Sequence, residues 1–385
     1  MKIIIGAVLS ISPFSPGMAW NWLQHVIGFQ KLGHKVYFFE EVKPEWCVDR
    51  YGRRCEFMDS ANRVCFQSMM EQFGLIAQAS QIFNRGEGTC GLSYDSAIAA
   101  AKEADLLINI SGHVTDEAIL GSVGRRVYVD QDPVYTQLWA ATYGEDLNFK
   151  MHDVFLSVGL NIGTPYTSIP DCGVKWRHTL PPLIMEFWPV CLSASRKPFT
   201  TIASWSGEYG DLHYEGEWYR SKYEEFKRFA ELPRKVEQEL EVALKTYRDD
   251  DEGIHLLKAN GWRVTEASQL AALPDYQSYI AQSQAEIGIA KNAYVKGNSG
   301  WFSDRSAHYL ASGKPVLAQS TGFERDLPVG QGLMTFSSME EAVASISAIN
   351  QDYEAHCLAA REFAQEYLDY RKVLPKMLEA CTATD

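Results

Sequence analysis

Short apolar runs recur along this chain at regular intervals, separated by segments of helical period, and the alternation is played out twice. KIIIGAVLS at Lys2–Ser10 is almost continuously apolar, as a strand buried on both faces of a parallel sheet has to be. A loop with Pro13, Pro16 and Gly17 follows, then Trp22, Val26, Phe29 and Leu32 fall at helical spacing before a stop at Gly33. Lys35–Glu40 reads as a second strand, Tyr94–Glu103 as a helix, and Asp105–Ile110, Arg125–Asp130 and Phe155–Val158 as further strands. The region from Pro44 to Thr89 is polar, aromatic and helical in places.

Proline-rich PPLIMEFWP at Pro181–Pro189 then breaks the pattern, and the alternation restarts. Phe199–Trp205, Ala285–Ala290 and Lys314–Gln319 read as strands. Helices are predicted over Glu217–Phe229, Arg234–Tyr247, Tyr276–Ser283, Met339–Ile349 and Tyr353–Leu374. Strand, helix, strand in that order predicts doubly wound parallel sheets with ligand loops at the strands' C-terminal ends. Two such units leave a cleft between them, the usual location for a ligand. The expected division is residues 1–185, residues 186–365 and a C-terminal helix over 366–385 packing back on the first unit.

The chain has 385 residues, a net charge of -13 and 8 cysteines. So acidic a balance argues against nucleic acid as a partner, because a phosphate backbone wants a basic surface. It leaves room for a small phosphorylated ligand, which needs only a local cluster of donors. No C-x-x-C spacing is present, which argues against a zinc ribbon or disulfide scaffold and for reduced cytoplasmic thiols. No apolar run approaches the roughly 20 residues a membrane span needs, and the N-terminal apolar run continues directly into structure.

Candidate site residues lie at the ends of the strands. SGWFSDRSAHYLASGKPVLAQSTGF, from Ser299 to Phe323, reads as a turn, a helix stopped at Gly313, and a strand. Ser303 suits the N-cap and Asp304 the positive end of the helix dipole, whose free N–H groups offer an anion seat. Arg305 would add a bidentate phosphate clamp. In the first half, Gly17 lets backbone amides approach a phosphate. His113, after the strand DLLINI, suits proton transfer. Asp130 and Asp132 in VYVDQDPVYTQ suit orientation or deprotonation of an acceptor hydroxyl.

The order helix, Gly-Lys-Pro-Val strand, Thr321-Gly322-Phe323 loop, GQGLMTF and SMEEAVASI resembles the C-terminal nucleotide-sugar domain of GT-B glycosyltransferases. The nearest likeness is to family 4, in which E-A-M-A-x-G-K-P-V is followed by a glycine-bearing loop and G-x-G-L. The first 40 residues, with Gly17 and Leu32-Gly33-His34-Lys35-Val36, agree in outline. The resemblance implies an α/β chain of two Rossmann-like domains facing across a cleft, acceptor on the N-terminal side and nucleotide-diphosphate sugar on the C-terminal side. It implies a metal-independent transfer to a small-molecule or glycan acceptor, with no permanently bound cofactor and with a homodimer allowed. It assigns catalytic roles to His113, Asp130, Asp132 and Asp304. It assigns donor contacts to Gly17, Ser204, Trp205, Lys291, Ser299, Gly300, Ser303, Arg305 and Ser306. The family's paired glutamates would fall at Gly300 and His308. That departure keeps two alternatives in view, a nucleotide-sugar epimerase and a non-catalytic nucleotide- or sugar-binding protein.

Overall fold

A computed structural model describes residues 1–11, 15–192, 196–204, 210–245 and 251–383. The apolar runs of the first half become β1 (Lys2–Gly6), β2 (Lys35–Val42), β3 (Ala79–Phe83), β4 (Gly88–Gly91), β5 (Leu106–Ile110), β6 (Arg126–Asp130), β7 (Val154–Ser157) and β8 (Trp176–His178). They form one sheet in the order β4-β3-β2-β1-β5-β6-β7-β8, parallel except for the β3–β4 hairpin. Ile3, Ile4 and Ile5 on its central strand have no exposed surface, as the unbroken apolar run demands.

The second half supplies β9 (Phe199–Ser204), a small hairpin of β10 (Leu212–Tyr214) and β11 (Glu217–Tyr219), then β12 (Leu240–Lys245), β13 (Arg263–Glu266), β14 (Ala285–Gly288), β15 (Val316–Gln319) and β16 (Leu333–Phe336). Its main sheet runs β13-β12-β9-β14-β15-β16 and is parallel throughout. In both sheets the strand order reverses beside the first strand, between β1 and β5 and between β9 and β14, and such a reversal opens a crevice at the strands' C-terminal ends. The helices are α1 (Pro16–Lys31), α2 (Ala61–Gln72), α3 (Tyr94–Glu103), α4 (Glu117–Leu120), α5 (Tyr135–Leu138), α6 (Lys222–Arg228), α7 (Asp251–Ala259), α8 (Leu273–Gln282), α9 (Asn292–Lys296), α10 (Asp304–Ala311), α11 (Met339–Gln351), α12 (Tyr353–Phe363) and α13 (Tyr370–Thr382).

Three local readings are corrected. The helix predicted over Arg234–Tyr247 is strand β12 where described; Thr246 and Tyr247 lie outside the described residues. Glu, Leu and Lys favour a helix locally, but the strand lies between β9 and β13, where the sheet buries Leu240, Val242 and Leu244. The helix predicted over Glu217–Phe229 divides into β11 and α6, with Ser221 between them. β3 and β4 occupy a region read as polar and helical.

The two halves are joined by more than the proline-rich connector. An antiparallel bridge pairs Gly159 with Trp301. Beside it, Leu160 N donates to the Gly300 carbonyl at 3.2 Å and Asn161 N to the Ser299 carbonyl at 3.0 Å. One apolar cluster runs through both halves and includes Trp20, Leu23, Trp188, Tyr276 and Leu310. At the chain's end α13 lies on α1, so close that a Cβ on Gly28 would stand 2.7 Å from Leu374 Cδ1.

Candidate active site

β9 and β14 pair at Phe199–Ala285 and Thr200–Glu286, and among the described residues their ladder extends no further. The Arg305 side chain fills the gap from α10. Its Nε donates to Glu286 Oε1 at 2.5 Å and its Nη1 to the Ile202 carbonyl at 3.0 Å. Glu286 is wholly buried inside an apolar strand, and a carboxylate there requires a cation. The expected role of Arg305 as a phosphate clamp is thereby corrected: its guanidinium is the internal counter-ion of Glu286.

Two lysines, Lys222 and Lys291, lie close enough to Arg305 and to each other for their charges to interact. Lys222 opens α6 and is only 7% exposed. Burial, reinforced by the charges of Arg305 and Lys291, pushes its pKa well below the ordinary lysine value. Lys291 is the N-cap residue of α9, just beyond β14. Glu225, one turn into α6, fixes this arrangement from behind. It accepts from Asn292 Nδ2 at 2.8 Å and from Gln319 Nε2 at 2.6 Å, tying α6 to the ends of β14 and β15. Asp304, half-buried at the start of α10, is raised by burial against the opposing charge of Arg305.

Across the crevice stands Asp132, just beyond β6. Its Oδ1 accepts from Lys291 Nζ and from Tyr294 OH, each at 2.6 Å. Burial alone would raise this carboxyl, but the Lys291 charge and the two hydrogen bonds outweigh it and hold it below the ordinary value. His113 follows β5 through Ser111 and Gly112, both at positive φ, and its side chain is exposed. Surrounding protein lowers its pKa against the pull of Asp132. Gly17 is not in a loop but in the first turn of α1, 3.5 Å (measured from an ideal Cβ) from the Tyr276 ring of the other half.

Several other assignments change. Asp130 is fully buried, with its oxygens taken by Thr136 Oγ1, Gln137 Nε2, Ser157 Oγ and the Asp132 amide. It cannot meet an acceptor, and it positions Asp132 instead. Ser299 and Gly300 belong to the seam between halves. A Cβ on Gly300, at φ +72, would stand 2.7 Å from Asn161 N, so its close approach is to backbone rather than phosphate. Ser303 has the backbone of an N-cap, but its hydroxyl makes no capping bond. Ser306 is buried within α10. Ser204 is exposed at the end of β9, and Trp205 lies outside the described residues.

His308, where a family glutamate would fall, is buried between the halves and stacks on Trp188 at 4.2 Å. Gln24 Oε1 accepts from Ile184 N and Trp188 Nε1, so Gln24 Nε2 donates to His308 Nε2 at 3.0 Å. His308 Nδ1 therefore carries the proton and donates to Tyr276 OH, also at 3.0 Å. Burial and the nearby Arg305 charge push this imidazole down to about 3. The sequence reading gives no functional role to Lys222, Glu225, Tyr294 or Glu286. Ser221-x-x-Glu224 is a helix-start pattern that would have set Lys222 at the head of α6. A lone glutamate inside AEIGIA was itself a sign of a buried ion pair.

Among the described residues no helix is long and apolar enough to cross a membrane, and no cluster of His, Cys, Asp and Glu is arranged around a metal position. No family model matches the chain, and no curated protein matches it in sequence. Solved structures do match over its full length. An α-glucosyltransferase in complex with UDP and a 13-mer DNA superposes with a TM-score of 0.60 at 13% identity, covering 100% of both chains. Anabaena HepE in complex with UDP and glucose gives 0.57 at 13% identity, again covering 100% of both. Sucrose-phosphate synthase from Thermosynechococcus elongatus gives 0.54 at 10% identity over 98% of each chain.

The first of these overturns the expectation that excluded nucleic acid. A transferase of the same fold takes DNA beside UDP, and net charge is a sum over the whole surface that does not decide what one face binds. With glycosyltransferases as its structural neighbours and two parallel sheets meeting at their C-terminal ends, the chain has the GT-B fold.

Proposed function

We propose that the protein is a cytoplasmic, metal-independent glycosyltransferase that uses a nucleoside-diphosphate sugar. The observation that carries this is Lys222, a lysine only 7% exposed, beside Lys291 at the switch point of the second sheet. An ammonium held there at a cost in desolvation is complementary to an anion. Residues 186–365 form the donor side, residues 1–185 the acceptor side, and residues 366–385 pack back on the latter. Within the fold the nearest kinship is to family 4, without its paired glutamates.

In the transfer, the bond from the sugar's anomeric carbon to the β-phosphate oxygen breaks and the electron pair leaves with the diphosphate. Lys222 and Lys291 stabilise that developing charge as fixed, preorganised cations. The acceptor oxygen forms the new bond to the anomeric carbon, and Asp132 Oδ2 takes its proton. His113, opening into the same cleft, contacts the donor sugar. UDP and UDP-glucose, ligands of HepE crystals, are the first probes. Release of UDP from a panel of UDP-sugars, at least tenfold slower in Lys222→Ala, is the expected result. Nucleotide binding without turnover for any sugar would assign a scaffold instead.

A further inference from the structure

Lys291 and Asp132 come from opposite halves, and each is already engaged with the other. The cation that suits a leaving diphosphate is held by the carboxylate that suits the acceptor's proton. We propose that donor and base are coupled through Lys291: an anion in the diphosphate seat draws the ammonium away from Asp132, and donor binding thereby frees Asp132 to act as base. This rests on the functional reading above.

The geometry allows that exchange. The Lys291 backbone is fixed, because its carbonyl accepts from Tyr294 N at 2.9 Å and Val295 N at 3.2 Å. Its neighbour Asn292 is held by Glu225 and by Arg220 N. Only the flexible side chain can move, and a lysine presents a swivelling point charge rather than a rigid fork. Its Nζ stands 4.9 Å from the Tyr135 ring centre and 5.0 Å from that of Tyr294, faces along which a cation stays stabilised as it moves. On the donor side Lys222 and Arg305 add positive charge that favours an anion, with Asp304 and Glu286 as the nearby carboxylates. On the acceptor side the buried Asp130 carboxyl, His113 and the hydroxyls of Tyr135 and Tyr128 are the titratable groups close enough to interact with Asp132. Tyr294 OH retains Asp132 Oδ1 when Lys291 leaves, so the carboxylate keeps its position while losing its counter-charge.

Competition for one lysine has a signature opposite to that of a simple binding residue. Titration calorimetry with UDP, and with inorganic pyrophosphate, is run on the full chain and on Asp132→Asn, Lys291→Ala and the double variant. Asp132→Asn is expected to bind UDP about fivefold tighter or more, Lys291→Ala to bind weaker, and Asp132→Asn to change nothing in the Lys291→Ala background. Asp132→Ser, which removes the charge in a smaller side chain, should repeat the gain if Asp132→Asn melts early. Binding by Asp132→Asn and Asp132→Ser equal to or weaker than the parent, or the same gain without Lys291, overturns the coupling while leaving the functional reading intact. Failure of the parent chain to bind either ligand removes that reading and the coupling together.

Discussion

Lys222 opposes folding in the ligand-free protein, and that makes it measurable by stability. Its native pKa is lowered by burial first, then by Arg305 and Lys291. Between that value and the ordinary 10.5, the unfolded chain binds a proton that the native one does not, so stability rises with pH there. Lys222→Met should therefore melt higher than the parent at neutral pH, and its advantage should shrink as pH approaches 10.5. Arg305 behaves oppositely. Removing it strands Glu286, whose Oε2 already has no hydrogen-bond partner among the described residues. Arg305→Ala is expected to cost about 3–5 kcal/mol in denaturant unfolding, whereas Arg305→Lys should recover part of it. Residue types were legible in the sequence here, but pairings were not. Arg305 next to Asp304 looked like a cleft-facing clamp because nothing local reveals that Glu286, 19 positions away, lies beneath it.

Elements with an unbroken pattern are legible in the sequence, and those set by their neighbours are not. β1, α3 and β5 follow from apolar runs and period alone. β12 carries its strand signal in Leu240, Val242 and Leu244, yet its glutamate and lysine neighbours suit a helix equally well, and only a place between β9 and β13 decides. The seam formed by 159–161 and 299–301 is likewise invisible without the fold, since it joins segments remote in sequence. It gives a sharp test of Gly300. An alanine there meets the Asn161 backbone and a positive φ together, so Gly300→Ala should lose about 1–3 kcal/mol of stability. A melting point unchanged from the parent would mean that the seam does not hold the halves together.

Across the whole molecule, the alternation of strands and helices foretold two doubly wound sheets, and the structural neighbours agree over the full length. What the sequence could not display is how firmly the halves are closed on one another. The Gln24–His308–Tyr276 chain lies in that closure and requires a neutral imidazole. Because burial holds His308 down to about 3, against 6.5 unfolded, the unfolded state takes up its proton first on acidification. Its contribution to stability is complete above pH 6.5 and is lost as pH falls from there towards 3. His308→Gln should flatten the dependence of unfolding free energy on pH in that window. The central claim, however, is the anion seat at Lys222. Calorimetric titration of UDP into the parent and Lys222→Met tests it directly. A charge-assisted contact is worth about 1.5–3 kcal/mol, so the variant should bind roughly tenfold more weakly or worse while melting higher without ligand. UDP affinity equal to the parent's in a folded Lys222→Met protein would contradict it.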